Sequence, residues 1–382
     1  MKSIVFHSKL NVNTREFHIH TGSLLEKNLV LSEIFEHGKF IASKQIRYQT
    51  RDDESNEPNT DYLKSIASEL HQNTIDEMST LFNIQLKIRS LNNPLAHYKL
   101  GSIFYYRNIL SEAVRSLRYA IELKSDFIAA YILIGKCFLK SGRFEDAQNY
   151  LISAYKLNSE FPDLANTLGV SLIFDHQYQK ATSILQQALR KNPDFEEANF
   201  NLGVALFLST LADLDAQEKA VVPSRVIRFI KSLKSLDRYK SDSWQEYFDK
   251  TLLSIDEGNL VEIQTNLSEL QLKLVTYIKI DPLIEAFYLK FMYGGRELDE
   301  KELESYESRI LKLSESRNKF ADYWNELGVL HIIQCRHLFL RAVHEFEQAV
   351  DLNENYIEAK KNVKLVSNIK KGFLILLRAI LK

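Results

Sequence analysis

Small residues recur at a fixed interval along the middle of the chain. Gly101, Gly135, Gly169 and Gly203 lie 34 residues apart, and the same spacing separates Ala113, Ala147 and Ala181, and Ala120, Ala154 and Ala188. A period of about 20–50 residues marks stacked copies of one supersecondary unit, none of which can bury its apolar face alone. In each copy the small positions interrupt bulky residues, as in "GKCFLKSGRFEDAQNYLISAYKL", residues 135–157. A glycine inside a helix costs about 1 kcal/mol relative to alanine, so its return at one place in every copy points to helices whose backbones approach closely there. The turn between the two helices of each copy falls at Asn108, Gly142 and His176. A positive φ at that turn suits glycine best, is tolerated by asparagine and is less comfortable for histidine.

The first halves of the copies read "HYKLGSIF", "YILIGKCF", "ANTLGVSL" and "NFNLGVAL"; the second halves pair Ala113 with Leu117, Ala147 with Leu151 and Ala181 with Leu185. This pattern resembles the tetratricopeptide repeat (TPR) family. The resemblance implies a mainly α fold, an α-solenoid of helical hairpins, with Gly101, Gly135, Gly169 and Gly203 on the first (A) helix and Ala113, Ala147 and Ala181 on the second (B) helix at their closest approach. It covers residues 94–208, three full copies and a half. It returns in residues 320–382, where Trp324, Leu327 and Gly328 precede Ala342, Phe346 and Ala349 with two extra residues between the halves. Gly328 and Ala342 are assigned the same packing role, and "IEAKKNVKLVSNIKKGFLILLRAILK" supplies a capping helix. Residues 209–319 are helical in texture but not repetitive; "SWQEYFDKTLLSIDEGNLVEIQTNLSELQLKL" reads as a degenerate hairpin turning at Gly258-Asn259.

In the family, A helices form a concave wall whose inward positions contact a partner. Carried onto this chain, those positions are Tyr98, Tyr105 and Tyr106, then Ile132, Lys136 and Leu139, then Asn166, Val170, Ile173 and Phe174, and finally Phe200, Asn201 and Phe207. The basic clamp by which one subclass grips a C-terminal carboxylate is absent, its places being held by Tyr98, Ser102, Leu133, Asp163 and Thr167. A wall with few charges suits the apolar face of an amphipathic helix. That helix belongs to a partner or to residues 209–318 of the chain itself, and the two readings stand equal, because a large exposed apolar patch is uncommon on a soluble monomer.

Residues 1–48 differ in texture. "REFHIHTG" and "KNLVLSEIFEHGKFIASKQIRY" are β-branched and aromatic, and His37-Gly38 separates two strand-like runs, which predicts a small antiparallel β-domain of three or four strands. A hairpin alone is marginal in water, so this domain must pack on something. Residues 49–60 have the composition of a polar linker, and residues 61–93 that of one or two connecting helices with Asp61 as N-cap.

With 49 Lys and Arg against 50 Asp and Glu, the chain offers no general attraction for nucleic acid. Cys137 and Cys335 stand alone, without paired spacing, which fits a reducing compartment, and no signal-peptide pattern opens the chain, so a cytoplasmic location is expected. Residues 223–240, "PSRVIRFIKSLKSLDRYK", form a basic amphipathic helix with Val226, Phe229, Ile230, Leu233 and Leu236 opposite Arg228, Lys231, Lys234 and Arg238. Such a helix can lie on an anionic membrane surface, although a solvated outer face is the more ordinary reading. The apolar "GFLILLRAILK" closes the solenoid or dips into an interface. His331, Cys335 and His337 do not complete a metal site, and His18 and His20, on one side of a strand, read as surface residues. No phosphate loop, nucleophile elbow or zinc-protease motif is present, so neither catalytic residues nor a cofactor are expected. The expected function is a non-enzymatic scaffold that binds a protein or peptide in the concave groove; the alternative is a peripheral membrane adaptor.

Overall fold

The computed structural model describes residues 4–48, 60–213, 222, 224–232, 242–277, 289–290, 293, 303–304, 307–308, 311 and 321–380. They divide into two compact units, one through Leu289 and one from Lys290. Residues 49–59, most of the segment read as a linker, lie outside the described residues, as do Leu233, Lys234, Leu236 and Arg238 of the basic segment.

The first unit opens with a four-stranded antiparallel meander, β1 (Val5–Val12), β2 (Arg15–Leu24), β3 (Leu29–Glu36) and β4 (Lys39–Arg47), in that spatial order. Its tight turns use residues that tolerate left-handed backbone: Asn13 has φ 60°, and His37 and Gly38 have φ 50° and 75°. Positive φ at both central residues gives the twist that joins two antiparallel strands through a two-residue loop. Alternation along the strands sends Phe17, Ile19, Val30, Ile34 and Ala42 to one buried face. That face packs on α1 (Thr60–Arg89), a single 30-residue helix rather than two, with Asp61 inside its first turn rather than capping it. Phe17, Phe82 of α1 and Phe104 of the following helix form an aromatic chain with ring centroids 4.8 and 5.5 Å apart.

Two polar clusters cross this seam. Arg15 grips Glu36 through two hydrogen bonds of 2.6 and 2.7 Å and reaches Glu112 at 2.7 Å, while its guanidinium lies 4.5 Å over the Phe82 ring. The buried Glu112 carboxylate also accepts from Gln85 of α1 at 2.7 Å. One carboxylate thus ties the sheet, α1 and the first repeat together, and it is buried only because each oxygen is met. Nearer the other end of α1, Thr21 donates to Ser32 at 2.8 Å, and His71 touches Thr21 and Ser8, each at 2.8 Å. With the Thr21 proton spent on Ser32, Nδ1 of His71 donates to Thr21, and the Ser8 hydroxyl donates to Nε2 when the imidazole is neutral.

The repeats follow as helical hairpins: α2 (Pro94–Tyr106) with α3 (Leu110–Leu123), α4 (Ile128–Lys140) with α5 (Phe144–Leu157), and α6 (Pro162–Phe174) with α7 (Tyr178–Lys191). Asn108, Gly142 and His176 turn the chain with φ of 61°, 71° and 59°. A Cβ placed on Gly101, Gly135 or Gly169 would lie 2.7, 2.7 and 2.6 Å from Leu117, Leu151 and Leu185 respectively, so these leucines of the B helices fill the space the glycines leave. Ala113, Ala147 and Ala181 are fully buried beside them.

The fourth hairpin is completed after an insertion. Its A helix is α8 (Glu196–Asp213) and its B helix is α9 (Ser224–Ser232), the first half of the basic segment. A Cβ on Gly203 would meet Val226 at 2.7 Å, so Val226 takes the place of the repeat leucine, 23 residues after its glycine instead of 16. Val226 and Ile230 are fully buried, so these two residues of the apolar face read as a membrane candidate are spent inside the fold, with Arg228 exposed. A second hairpin, α10 (Asp242–Glu257) and α11 (Leu260–Thr276), turns at Gly258 (φ 69°), and Asn259 caps α11 by accepting from the Glu262 amide.

The second unit holds α12 (Ala321–Leu352) and α13 (Ile357–Ile380), packed on each other. Here the expected repeat fails. Trp324 to Ala349 lie on one uninterrupted 32-residue helix, Gly328 has no atom within 4 Å of a notional Cβ, and Trp324 is exposed. Seven residues after Gly101, Gly135 and Gly169 stand the turn residues Asn108, Gly142 and His176; seven after Gly328 stands Cys335, within "IIQCRHLFLRA", which holds no glycine, asparagine or proline to stop a helix. Ala342 is only half-buried on this helix.

Two outcomes check this account. Gly169→Ala should lower the melting temperature by the equivalent of about 1–3 kcal/mol, since overpacking against Leu185 outweighs the gain in helix propensity; Gly328→Ala should leave stability unchanged or raise it by up to about 1 kcal/mol, and melts showing both variants alike would refute the close-approach role. Burial, with the charges of His7 and His20, holds the pKa of His71 below the ordinary imidazole value. Stability from neutral His71 is complete above the unfolded-chain pKa, about 6.5, and declines as pH falls below it. The drop in melting temperature between pH 7.5 and 5 should therefore be smaller in His71→Gln than in the wild type.

Candidate functional site

The inner wall of the repeats is built by α2, α4, α6 and α8, and it is covered. Helix α11 lies against α4, α6 and α8, within the same unit. Its apolar residues Ile263, Leu267, Leu270 and Leu274 recur at i, i+4, i+7 and i+11 and are all buried. This is the spacing by which an amphipathic helix fills a groove. Of the two occupants that the sequence leaves open, the chain itself is the one present.

Most of the residues assigned to the wall are buried with it: Tyr105, Ile132, Lys136, Leu139, Asn166, Val170, Ile173, Phe200, Asn201 and Phe207. Three are placed elsewhere. The half-buried Tyr98 packs its ring on Phe127 at 5.0 Å, and Phe174 stacks on Phe144 at 4.7 Å, both bridging adjoining hairpins. Tyr106 is 48% exposed and lines the seam with β4 and α1. It is the last residue of α2, and one step along a helix turns a side chain by about 100°, off the face that Tyr105 occupies.

Polar contacts set the position of α11 on this apolar surface. Asn201 donates to Asn166 at 2.8 Å and accepts from Gln271 at 3.0 Å, so an amide ladder runs from α6 through α8 to α11. The Tyr105 hydroxyl donates to the Thr276 carbonyl at the carboxyl end of α11. Burial drives the pKa of that phenol far above its ordinary value, so it remains a donor at any physiological pH. Lys136, otherwise a buried cation on the wall, faces Asp163 at 3.6 Å. Burial also raises the Cys137 pKa, leaving a neutral thiol with no nucleophilic character.

The contribution of α11 is absent from the inward positions that the repeat pattern supplies, because α11 is not part of a repeat. Its signal was its own periodicity, which reads equally as a hairpin stacked at the end of the solenoid. Among the described residues no three His, Cys, Asp or Glu side chains are grouped so as to hold a metal, and no helix is long and apolar enough to cross a membrane.

The tetratricopeptide-repeat family model matches residues 166–218, from the amide of the ladder on α6 through α8. The chain contains tetratricopeptide repeats. No curated protein sequence is significantly similar to it. Among solved structures it is similar to YrrB, described as a TPR protein with an unusual peptide-binding site, at 17% identity, covering 55% of this chain and 94% of that one with a TM-score of 0.32. PilF of Pseudomonas aeruginosa is likewise 17% identical over 60% of this chain and 95% of that one, with a TM-score of 0.34. A TPR protein of Parabacteroides merdae is 16% identical over 72% and 98%, with a TM-score of 0.31. The assignment itself rests on the family match and on the 34-residue register of glycine, leucine and alanine.

If the TPR wall is part of the folded core, truncating it must cost stability. Phe207→Ala and Leu267→Ala, on opposite sides of the contact, should each lower stability by about 2–5 kcal/mol, read by denaturant unfolding. An unchanged midpoint in both would show that α11 does not cover the wall in solution.

Proposed function

We propose that this protein is a non-enzymatic interaction scaffold of the cytoplasm, in which the TPR wall is a helix-binding surface and α11 is its occupant in the resting chain. The observation that carries this reading is the way α11 is held: four apolar anchors at helix-in-groove spacing, fixed by an amide ladder and a tyrosine. A scaffold of this kind recognises a partner by the shape and periodicity of a helix. The membrane-adaptor reading is not favoured, since Val226 and Ile230 of the basic segment are consumed by packing on α8.

The test compares the wild type with a chain loosened at the groove by Leu267→Ala and Leu270→Ala. Each protein is used at a temperature where circular dichroism shows it folded. Quantitative affinity purification from native cells should recover a common partner severalfold more strongly with the loosened chain, and the purified partner should bind it directly. Failure of either protein to bind any partner directly would sink the scaffold reading.

A further inference from the structure

A cleft of about 340 Å³ lies where the last turns of α1 meet α2 and α3, and none of its lining residues belongs to the wall that α11 covers. A volume of that order holds a small ligand. Its floor is apolar: Leu100 is buried and Leu86 is 48% exposed. The rings of Tyr119 and His97, 5.5 Å apart, form one side. Two guanidinium groups, Arg89 of α1 and Arg115 of α3, complete the rim, and no carboxylate lines it.

The charges of this cleft are not spent within the fold. Arg89 is exposed and has neither an ion pair nor a hydrogen bond among the described residues. Arg115 touches Glu112 at 3.3 Å, but the same Glu112 oxygen already accepts from Gln85 at 2.7 Å. Glu36, the other acid within reach of the Arg115 charge, is gripped by Arg15, as is Glu112. Glu122 acts on His97 from α3 but is exposed and does not line the cleft. The carboxyl end of α1 carries about half a negative charge, which opposes an anion where it is bare. Here it is covered. The Lys87 carbonyl accepts from the Ser90 hydroxyl at 3.1 Å, the Ile88 carbonyl from the Leu91 amide at 2.8 Å, and His97 Nε2 donates to the Leu91 carbonyl at 3.2 Å.

Ser116 points most directly to a ligand. It is only 2% exposed and lines the cleft, yet its hydroxyl has no hydrogen-bond partner among the described residues. Ser102 of α2 and Ser171 of α6, as deeply buried, turn their hydroxyls back to carbonyls of their own helices at 3.0 and 2.7 Å. A buried polar group is ordinarily bonded, so one left unmet in a cleft is available to what enters it. The Tyr119 hydroxyl likewise has no partner among the described residues.

We propose that this cleft binds a phosphate monoester, with the phosphate between Arg89 and Arg115, the Ser116 and Tyr119 hydroxyls as further donors, and the organic body on Leu86 and Leu100. One guanidinium fork satisfies a carboxylate, whereas four donor side chains match the three terminal oxygens of a phosphate. The site shares no residue with the α11 groove and does not depend on how that groove is used.

The probes are phenyl phosphate, phenylacetate and inorganic phosphate, each titrated calorimetrically into the full chain. Phenyl phosphate should bind about 5-fold tighter than either of the others, and more weakly as salt is added. Arg89→Gln and Arg115→Gln should each weaken it about 10-fold, and Ser116→Ala about 3-fold. All three variants should melt close to the wild type, because both arginines are exposed and the Ser116 hydroxyl bonds nothing in the fold; a clear fall in Ser116→Ala would show that the hydroxyl serves the fold and overturn its role here. No binding of phenyl phosphate at millimolar concentration, or binding unchanged by both arginine substitutions, would overturn the site. Equal affinity for phenylacetate or inorganic phosphate would overturn the choice of ligand. A blocked phosphotyrosine peptide then distinguishes the sources of this chemistry: tighter binding than phenyl phosphate marks a phosphorylated protein, and equal or weaker binding a small ester, both in support of the site.

Discussion

The contact between a glycine on one helix and a leucine on the next determines how the rest of this molecule is arranged. Where Gly101, Gly135 and Gly169 present no side chain, Leu117, Leu151 and Leu185 lie directly on the backbone of the partner helix. Close approach at one point, with a left-handed turn seven residues beyond, fixes the angle of each hairpin, and a fixed angle repeated every 34 residues curves the stack. A curved stack has an inner wall. In this chain the wall is apolar, and an apolar concavity of that length is not left to water. The presence of α11 in it follows from the glycines, although α11 itself contains none.

Seen this way, the two ends of the repeat array solve the same problem by different means. A solenoid must cover the apolar faces of its terminal units. At the N-terminal end α1 covers the first hairpin, and the sheet covers α1, with Glu112 and Arg15 anchoring the junction through charge-assisted bonds rather than through area alone. At the other end the fourth hairpin borrows Val226 from beyond an insertion, and the chain then doubles back so that α11 covers the wall. The insertion between α8 and α9 explains why the fourth repeat breaks off in the sequence: the leucine position is displaced from its expected register, and its residue type changes to valine.

What was legible in the sequence was whatever repeats or alternates. The glycine register revealed the hairpins, and the alternation around His37-Gly38 revealed the meander, because both are periodic consequences of backbone geometry. The site was legible only as a surface. Ten of the assigned wall positions are buried there, yet Tyr98, Tyr106 and Phe174 are turned to other neighbours, since the inward face of a helix narrows at its ends where adjoining hairpins and the sheet compete for the same side chains. The occupant was not legible as such. Periodicity in residues 260–276 states that a helix has an apolar face; it does not state which of several apolar surfaces that face will meet.

The segment around Gly328 shows why a motif without its turn does not make the fold. Trp324, Leu327, Gly328, Ala342, Phe346 and Ala349 reproduce most of the residue types of a repeat, but the chain between them has nothing to break a helix, and α12 continues through. Once the helix is straight, Gly328 and Ala342 no longer face each other: with about 1.5 Å of rise per residue they stand roughly 20 Å apart along one axis instead of across a hairpin. The notional Cβ of Gly328 then meets nothing, and the glycine keeps only its conformational cost. The same residue type is a packing device at Gly101, Gly135, Gly169 and Gly203 and an empty place at Gly328; in the first three hairpins Asn108, Gly142 or His176 stands seven positions later to accept a positive φ, the fourth closes through α9, and nothing after Gly328 turns the chain before Ala342.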